Sequence, residues 1–142
     1  MNRQYNKVDV NSWLNKAKDD LKWASSSLKD GFYPQTCFIA QQVVEKSLKA
    51  IIYSLQEEFS TEDIKKLRTH DLKFIIESIE KKNFSIPKQI QQLCLILNEY
   101  YMPTRYPDIP EAPGMKSKET ANNAINIAKE IIDFVETQLK KQ

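Results

Sequence analysis

The residues of this chain best suited to chemistry surround an arginine. Arg105 lies in "YYMPTRYPD", residues 100–108, among tyrosines and prolines, and arginine is scarce in a chain whose 21 basic residues are mostly lysine. A planar guanidinium can bind a phosphate or carboxylate through two hydrogen bonds and can stack on an aromatic ring. Nearby tyrosines could stack on nucleobases. Alternatively, Arg105 pairs with Asp108 or Glu45 and the tyrosines fill the edge of a core. Residue chemistry alone does not separate these interpretations.

The only histidine, His70, lies in "KKLRTHDLK", residues 65–73, where the positive charge of the chain is densest. Such a stretch suits contacts with phosphate groups, and an imidazole can act as a general acid or base at physiological pH. The alternative is a solvated loop at a helix start, in which Asp71 favours the helix N-terminus and His70 only caps or forms a hydrogen bond. Both interpretations stay open.

A carboxylate borders an apolar stripe in "QQVVEKSLKA", residues 41–50. Helical spacing places Glu45 on one ridge with Gln41 and Leu48. Glu45 could pair with Lys49 at i,i+4 on a solvated edge, which would contribute only about 0.2–0.5 kcal/mol. It could instead be partly buried and hold a basic group from another segment. Spacing alone favours the solvated pair.

Composition indicates one soluble domain. The chain has 142 residues, of which 41% are hydrophobic and 28% charged, and its net charge of +2 is too small to favour nucleic-acid binding without a local basic patch. No apolar run is long enough for a membrane span, and the N-terminus lacks the apolar core of a secretion signal, so we expect a cytoplasmic protein. Cys37 and Cys94 lie in apolar segments and are expected to be buried, reduced thiols. One histidine cannot complete a His/Cys zinc set, so no metal site and no cofactor are predicted.

Apolar residues recur at intervals of three and four, and only two glycines occur, which predicts an all-α protein. We expect an up-and-down antiparallel bundle of four to five helices within a single domain spanning residues 1–142, with its core over about 11–139 and a flexible segment at 1–10. The first predicted helix begins near Asn11 or Ser12 and ends near Lys29, and the second begins near Pro34 and ends near Glu57. The third begins after Thr69 or Asp71. The fourth begins after Pro87 and ends at Tyr100 or Tyr101, and the fifth begins near Ser117 and ends near Leu139. Thr104–Asp108 is predicted to form a rigid turn that aims Arg105 back at the bundle.

Four motifs occur in order: "DLKWA", "GFYPQTCFIAQQVVEKSLKAII", "RTHDL" and "YYMPTRYPD". Each is weak alone, but together, at these separations, they resemble the HEPN domain (higher eukaryotes and prokaryotes nucleotide-binding), in the branch with a C-terminal RYPD motif. The resemblance covers roughly residues 11–136. The family's Q-x-x-E-K-x-x-K, H-D-L and R-Y-P-D elements match this chain at the following residues: Gln42, Glu45, Lys46, Lys49; His70, Asp71, Leu72; Arg105, Tyr106, Pro107, Asp108.

The resemblance implies a dimeric helical module that binds a nucleotide or RNA and acts with a minimal nucleotidyltransferase partner in a toxin–antitoxin-like pair. The ligand-binding residues that we predict on this basis are Glu45, Lys49, His70, Tyr101, Arg105 and Asp108.

Many members of this family are metal-independent ribonucleases with an R-x(4–6)-H motif, and this chain departs from that pattern. No histidine follows Arg105, and a single residue separates Arg68 from His70. We therefore assign no catalytic residue. If the protein is an endoribonuclease toxin, which is the first alternative function, Arg105 and His70 are the catalytic candidates and must meet from separate segments. The second alternative is a structural dimerisation bundle without a ligand.

Overall fold

The computed structural model describes the backbone of residues 3–56 and 58–142 and the side chains from residue 10 onward, apart from residue 57. Within these ranges the protein is all-α and contains no strand, which confirms the predicted fold class. Five helices have nine residues or more and two are shorter. Their bounds are α1 Arg3–Lys29, α2 Tyr33–Leu55, α3 Thr61–Lys66, α4 Leu72–Glu80, α5 Lys88–Asn98, α6 Tyr101–Arg105 and α7 Lys118–Lys140.

Helix α2 is the centre of the bundle, because it packs against α1, α4, α5, α6 and α7. Its apolar positions extend around most of the helix, so that residues on several faces are buried together. Val44, Leu48 and Ile51 are fully buried in the main core, where α7 contributes Ile131 and Val135. An apolar stripe of this width, which is visible in the sequence, is typical of a helix at the centre of a bundle.

A tight turn joins α1 to α2. Gly31 has a φ of +84°, a left-handed conformation that L-residues adopt at a cost, and it follows the last turn of α1. Pro34 lies in the first turn of α2, where its missing N–H leaves no hydrogen bond unmade. The backbone N–H and hydroxyl of Thr36 both donate to the carbonyl of Phe32, at 2.9 and 2.8 Å, and fix the start of the central helix.

The start of α4 is held by α5. Asp71 is the N-cap of α4 and accepts a hydrogen bond from the backbone N–H of Lys73 at 3.0 Å. Asn98, the last residue of α5, donates its amide to the Asp71 carboxylate at 3.0 Å and accepts from the N–H of Leu72 at 2.8 Å. The segment immediately before α4, which carries His70, is therefore anchored to a second helix.

The structure corrects three predicted boundaries. Helix α1 begins at Arg3, not at Asn11 or Ser12; the predicted flexibility of residues 1–10 remains a prediction. Helix α3 was not predicted, although Ser60 and Asp63 form a capping box that its sequence could have revealed.

The third correction concerns the arginine-containing stretch. Helix α5 ends at Asn98 and does not continue to Tyr100 or Tyr101. Arg105 lies at the end of the separate short helix α6, not in the rigid turn predicted over Thr104–Asp108, and the turn follows it at Tyr106–Ile109.

Both thiols are free and buried, as predicted. Burial raises the pKa of Cys37 from 9.0 to about 11 and that of Cys94 from 9.0 to about 12. No helix in the described part of the chain is long and apolar enough to cross a membrane.

Truncation of the central helix should be costly. Ile51 is fully buried, so we expect Ile51→Ala to lower the free energy of unfolding by about 2–5 kcal/mol, because it removes buried methyl groups and leaves a cavity. Ile96→Ala is the matched control, since Ile96 is 42% exposed and should lose well under half as much. Urea titration followed by circular dichroism measures both, and equal losses would contradict the assigned core.

The thiols should be unreactive in the folded protein at pH 9. Thiolate is the reactive form, and both folded-state pKa values are raised, so the folded protein retains protons that the unfolded chain releases above about pH 9. Stability from the two groups is thus present below pH 9 and falls above it. Titration with a chromogenic disulfide should detect both thiols in urea and neither without it; rapid native labelling would refute this prediction.

Candidate functional site

Glu45 is the centre of a polar cluster inside the bundle. Its side chain is only 4% exposed, and its two oxygens face two basic partners: Oε1 lies 2.9 Å from Nδ1 of His70, and Oε2 accepts from Nζ of Lys49 at 2.9 Å. Gln42 donates a third hydrogen bond, to Oε1 at 3.1 Å. The predicted i,i+4 pair exists, but the expectation of a solvated edge was wrong. The buried interpretation is correct, because Glu45 holds His70 from another segment.

Two glutamine amides connect the cluster into a ring. Gln41 donates to the backbone carbonyl of His70 at 2.8 Å, and its amide oxygen accepts from Gln42 at 2.7 Å. Gln42 also donates to Glu45, which completes a circuit back to the imidazole of His70. Both the backbone and the side chain of His70 are therefore held by consecutive turns of α2. Gln41 is fully buried, and its role was not predicted.

The buried ammonium of Lys49 is covered by an aromatic side chain from α1. Lys49 is 3% exposed, and its Nζ lies 5.2 Å from the ring centroid of Trp13, a distance at which a cation is attracted to the ring face. Trp13 in turn stacks on Tyr53, with centroids 6.0 Å apart. Spacing along the sequence gave no indication of the contact between Trp13 and Lys49, because it joins two helices.

On its other side the cluster reaches the surface through an aromatic stack. The ring of His70 lies 4.2 Å from that of Tyr101 with an interplanar angle of 17°. Tyr101 is buried and also packs against Phe38 of α2, with centroids 5.3 Å apart. The imidazole remains 45% exposed. An immobilised aromatic platform is thus presented to solvent.

Arg105 lies on the same tyrosine. Tyr101 and Arg105 are four residues apart on α6 and so share one helix face. The Cζ atom of Arg105 is 5.7 Å from the ring centroid, and Nη1 donates a long hydrogen bond of 3.5 Å to the tyrosine hydroxyl. Arg105 pairs with neither Asp108 nor Glu45 in the described part of the chain, so this half of the open alternative is wrong, whereas the burial of Tyr100 and Tyr101 agrees with its other half. The charge of Arg105 is exposed, and no described carboxylate pairs with it.

The environment of Tyr101 keeps its hydroxyl protonated. Burial raises the pKa of this phenol, Arg105 lowers it, and the negative charge of Glu45 raises it. The net direction is upward. Tyr101 therefore serves as a neutral stacking surface and hydrogen-bond partner at physiological pH.

Asp108 is the one predicted site residue that the fold does not bring to the cluster. It is exposed beyond the end of α6, and within the described residues its side chain makes no hydrogen bond or ion pair. It lies in the turn at Tyr106–Ile109, in which the N–H of Ile109 donates to the carbonyl of Tyr106 at 3.1 Å. Glu45, Lys49, His70, Tyr101 and Arg105 do form one connected set.

A basic segment flanks His70. Lys65, Lys66, Arg68 and Lys73 are all exposed, and none has an acidic partner within the ranges that the structure describes. The one carboxylate in this segment, Asp71, is occupied as the cap of α4. Among the described residues no group of three or more His, Cys, Asp or Glu side chains could hold a metal ion. The exposed chemistry of this surface is cationic and aromatic.

The sequence matches the model of the HEPN domain over residues 10–138, which is most of the chain. The chain belongs to the HEPN domain family. No protein of curated function matches it.

Solved structures of similar proteins share the fold over nearly their whole length. The protein TT1696 from Thermus thermophilus is 29% identical with a TM-score of 0.69, over 96% of this chain and 98% of that one. ST0689, described as an archaeal HEPN homologue, is 28% identical with a TM-score of 0.65, over 97% and 98%. The HEPN domain protein TM0613 from Thermotoga maritima is 25% identical with a TM-score of 0.70, over 92% and 99%.

Removal of the Lys49 ammonium should strongly destabilise the fold. Lys49→Met keeps the length of the side chain under Trp13 but leaves the buried Glu45 carboxylate without its cation, which we expect to cost about 3–5 kcal/mol. Lys46→Met is the control: it breaks the more exposed pair with Asp20, and the expected cost is about 1 kcal/mol or less. Urea titration of both variants tests the difference, and equal losses would show that the cluster is not the anchor we describe.

Proposed function

We propose that this HEPN protein is a nucleotide- or RNA-binding module and that its ligand site is the surface formed by His70, Tyr101 and Arg105. The observation that carries the proposal is the half-exposed imidazole stacked on Tyr101, with an unpaired guanidinium on the same ring. Glu45 contributes by holding the imidazole of His70, and Lys49 contributes by pairing with Glu45. Asp108 belongs to the proposal only as a residue that would have to move toward a bound ligand.

The chemistry of this surface suits a nucleotide better than an uncharged metabolite. An exposed, immobilised aromatic face can stack on a nucleobase, and such stacking contributes about 1–3 kcal/mol per base. An unpaired guanidinium can bind phosphate oxygens bidentately. The unpaired cations of the segment 65–73 would add contacts with further phosphates. The base and the phosphates of a nucleotide thus each have a complementary group among these residues.

We further propose that the protein is a cytoplasmic homodimer that acts with a minimal nucleotidyltransferase in a toxin–antitoxin-like pair. Membership of the HEPN family supports this part. Exposed apolar side chains near the site, Met102, Tyr106 and Ile109, are consistent with a protein contact there. Sedimentation equilibrium tests the dimer, and co-purification with the product of an adjacent gene tests the partner.

A second candidate function is a metal-independent endoribonuclease. The observation that favours it is the hydrogen bond between His70 and the buried Glu45, which orients the imidazole, beside a tyrosine that also carries Arg105. Arginine and histidine therefore contact the same tyrosine ring from separate segments, although the R-x(4–6)-H spacing is absent. His70 would act as the acid or base and Arg105 would stabilise charge on the phosphate.

Binding should depend on the geometry of Arg105 and not only on its charge. Isothermal titration with a ribonucleotide should show binding by the wild type. Arg105→Lys should lose about tenfold to a hundredfold in affinity, because a lysine retains the charge but not the paired donors. Lys118→Ala, which changes an exposed lysine at the start of α7, should bind normally.

Two outcomes would count against the binding function. Absence of heat in the wild type would remove it. If Arg105→Ala lowered the melting temperature by several degrees and left binding unchanged, a structural dimerisation bundle would be the better description.

The ribonuclease function has its own test. Wild-type protein should cleave a structured RNA in the presence of a chelator, and both His70→Ala and Arg105→Ala should reduce cleavage by at least about a hundredfold, as expected when a general acid or base is lost. Cleavage that persists undiminished in both variants would belong to a contaminating enzyme.

A further inference from the structure

The donors around Glu45 determine which nitrogen of His70 carries the proton. Lys49 can only donate, and the amide of Gln42 donates to both Gln41 and Glu45. The orientation of both glutamine amides is fixed by Gln41, whose N–H must point to the backbone carbonyl of His70. Its amide oxygen then points to the N–H of Gln42. Every group that contacts Glu45 within the described chain therefore donates, and the carboxylate accepts from all of them.

The consequence for the imidazole is a single neutral tautomer. Nδ1 lies 2.9 Å from Oε1 of Glu45, so the proton of a neutral His70 must reside on Nδ1. If only Nε2 carried a proton, the lone pair of Nδ1 would face the negatively charged Oε1 of the buried Glu45, which is unfavourable. Nε2 is then a bare nitrogen, and within the described residues it has no hydrogen-bond partner. It belongs to an imidazole that is 45% exposed and stacked on Tyr101.

We infer that the Glu45–His70 pair makes the site selective for ribonucleotides over deoxyribonucleotides, with Nε2 of His70 accepting a hydrogen bond from the ribose 2′-hydroxyl. This inference rests on the proposed function and adds what the ligand must supply: a hydrogen-bond donor at the imidazole. Glu45 is a positioning residue, because it acts only through His70. A ribose hydroxyl and an exocyclic amine both donate, and the experiment separates them.

The tautomer can be observed directly, because His70 is the only histidine in the chain. In protein labelled with nitrogen-15 on the imidazole, the neutral form should give an Nε2 signal typical of an unprotonated nitrogen and an Nδ1 signal typical of a protonated one. Glu45→Gln should shift the balance toward the other tautomer, since an amide can donate to Nδ1. A wild-type signal that shows protonated Nε2 would overturn the inference without any variant.

Selectivity is measured by titration with adenosine monophosphate and its 2′-deoxy analogue. The wild type should prefer the ribonucleotide by about three- to tenfold, the range that one neutral hydrogen bond provides. His70→Phe retains an aromatic ring against Tyr101 but lacks the acceptor, so it should bind both nucleotides with similar affinity. Inosine monophosphate lacks the exocyclic amine and should bind the wild type as well as adenosine monophosphate does.

The possible failures are distinguishable. Equal affinity of the wild type for the ribo and deoxy forms would overturn the inference and leave the proposed binding function intact. Loss of affinity for inosine monophosphate, with no loss for the deoxy form, would assign the donor to the base and overturn the ribose contact. No binding of any of the three would overturn the proposed function and this inference together.

Discussion

The carboxylate of Glu45 lies inside a helical bundle, and a buried charge is tolerated only when a cation and further donors surround it. Lys49 provides the cation from the next turn of α2, Gln42 provides an amide, and His70 provides an imidazole from outside the helix. The requirement is reciprocal, since the buried ammonium of Lys49 needs both Glu45 and the ring of Trp13. The central helix thus fixes its neighbours through charge as well as through apolar packing.

The exposed chemistry depends on that buried arrangement. His70 belongs to a short loop segment, and such a segment would not by itself hold an imidazole in one orientation. Gln41 binds its backbone, Glu45 binds its side chain, and Asn98 secures the adjoining cap of α4. The ring then lies flat on Tyr101 with nearly half of its surface exposed. The conformational entropy of these side chains is already lost when the protein folds, so a ligand would not have to order them on binding.

Much of this could be predicted from residue types and helical spacing. The width of the apolar stripe on α2 indicated its central place, and Pro34, Asp71, Pro87 and Ser117 marked helix starts correctly. The motifs identified the family, and five of the six site residues predicted with them, all except Asp108, form one connected cluster. Spacing failed for Glu45, because it cannot show whether a helix edge is covered by another segment. Spacing also gave no indication that Asp108 is exposed beyond the end of α6 and makes no hydrogen bond or ion pair within the described residues.

The sequence by itself determined the five long helices, which of them is central and which polar residues are unusual, because these follow from local periodicity, capping and residue chemistry. The tertiary structure alone decided that Glu45 is buried, that His70 reaches it from another segment, and that Arg105 and His70 share the ring of Tyr101. The contacts of His70 with Glu45 and with Tyr101 join residues 25 and 31 positions apart, and helix packing rather than local preference sets which of them meet. A carboxylate beside an apolar stripe is a surface charge or a buried anchor according to what packs over it.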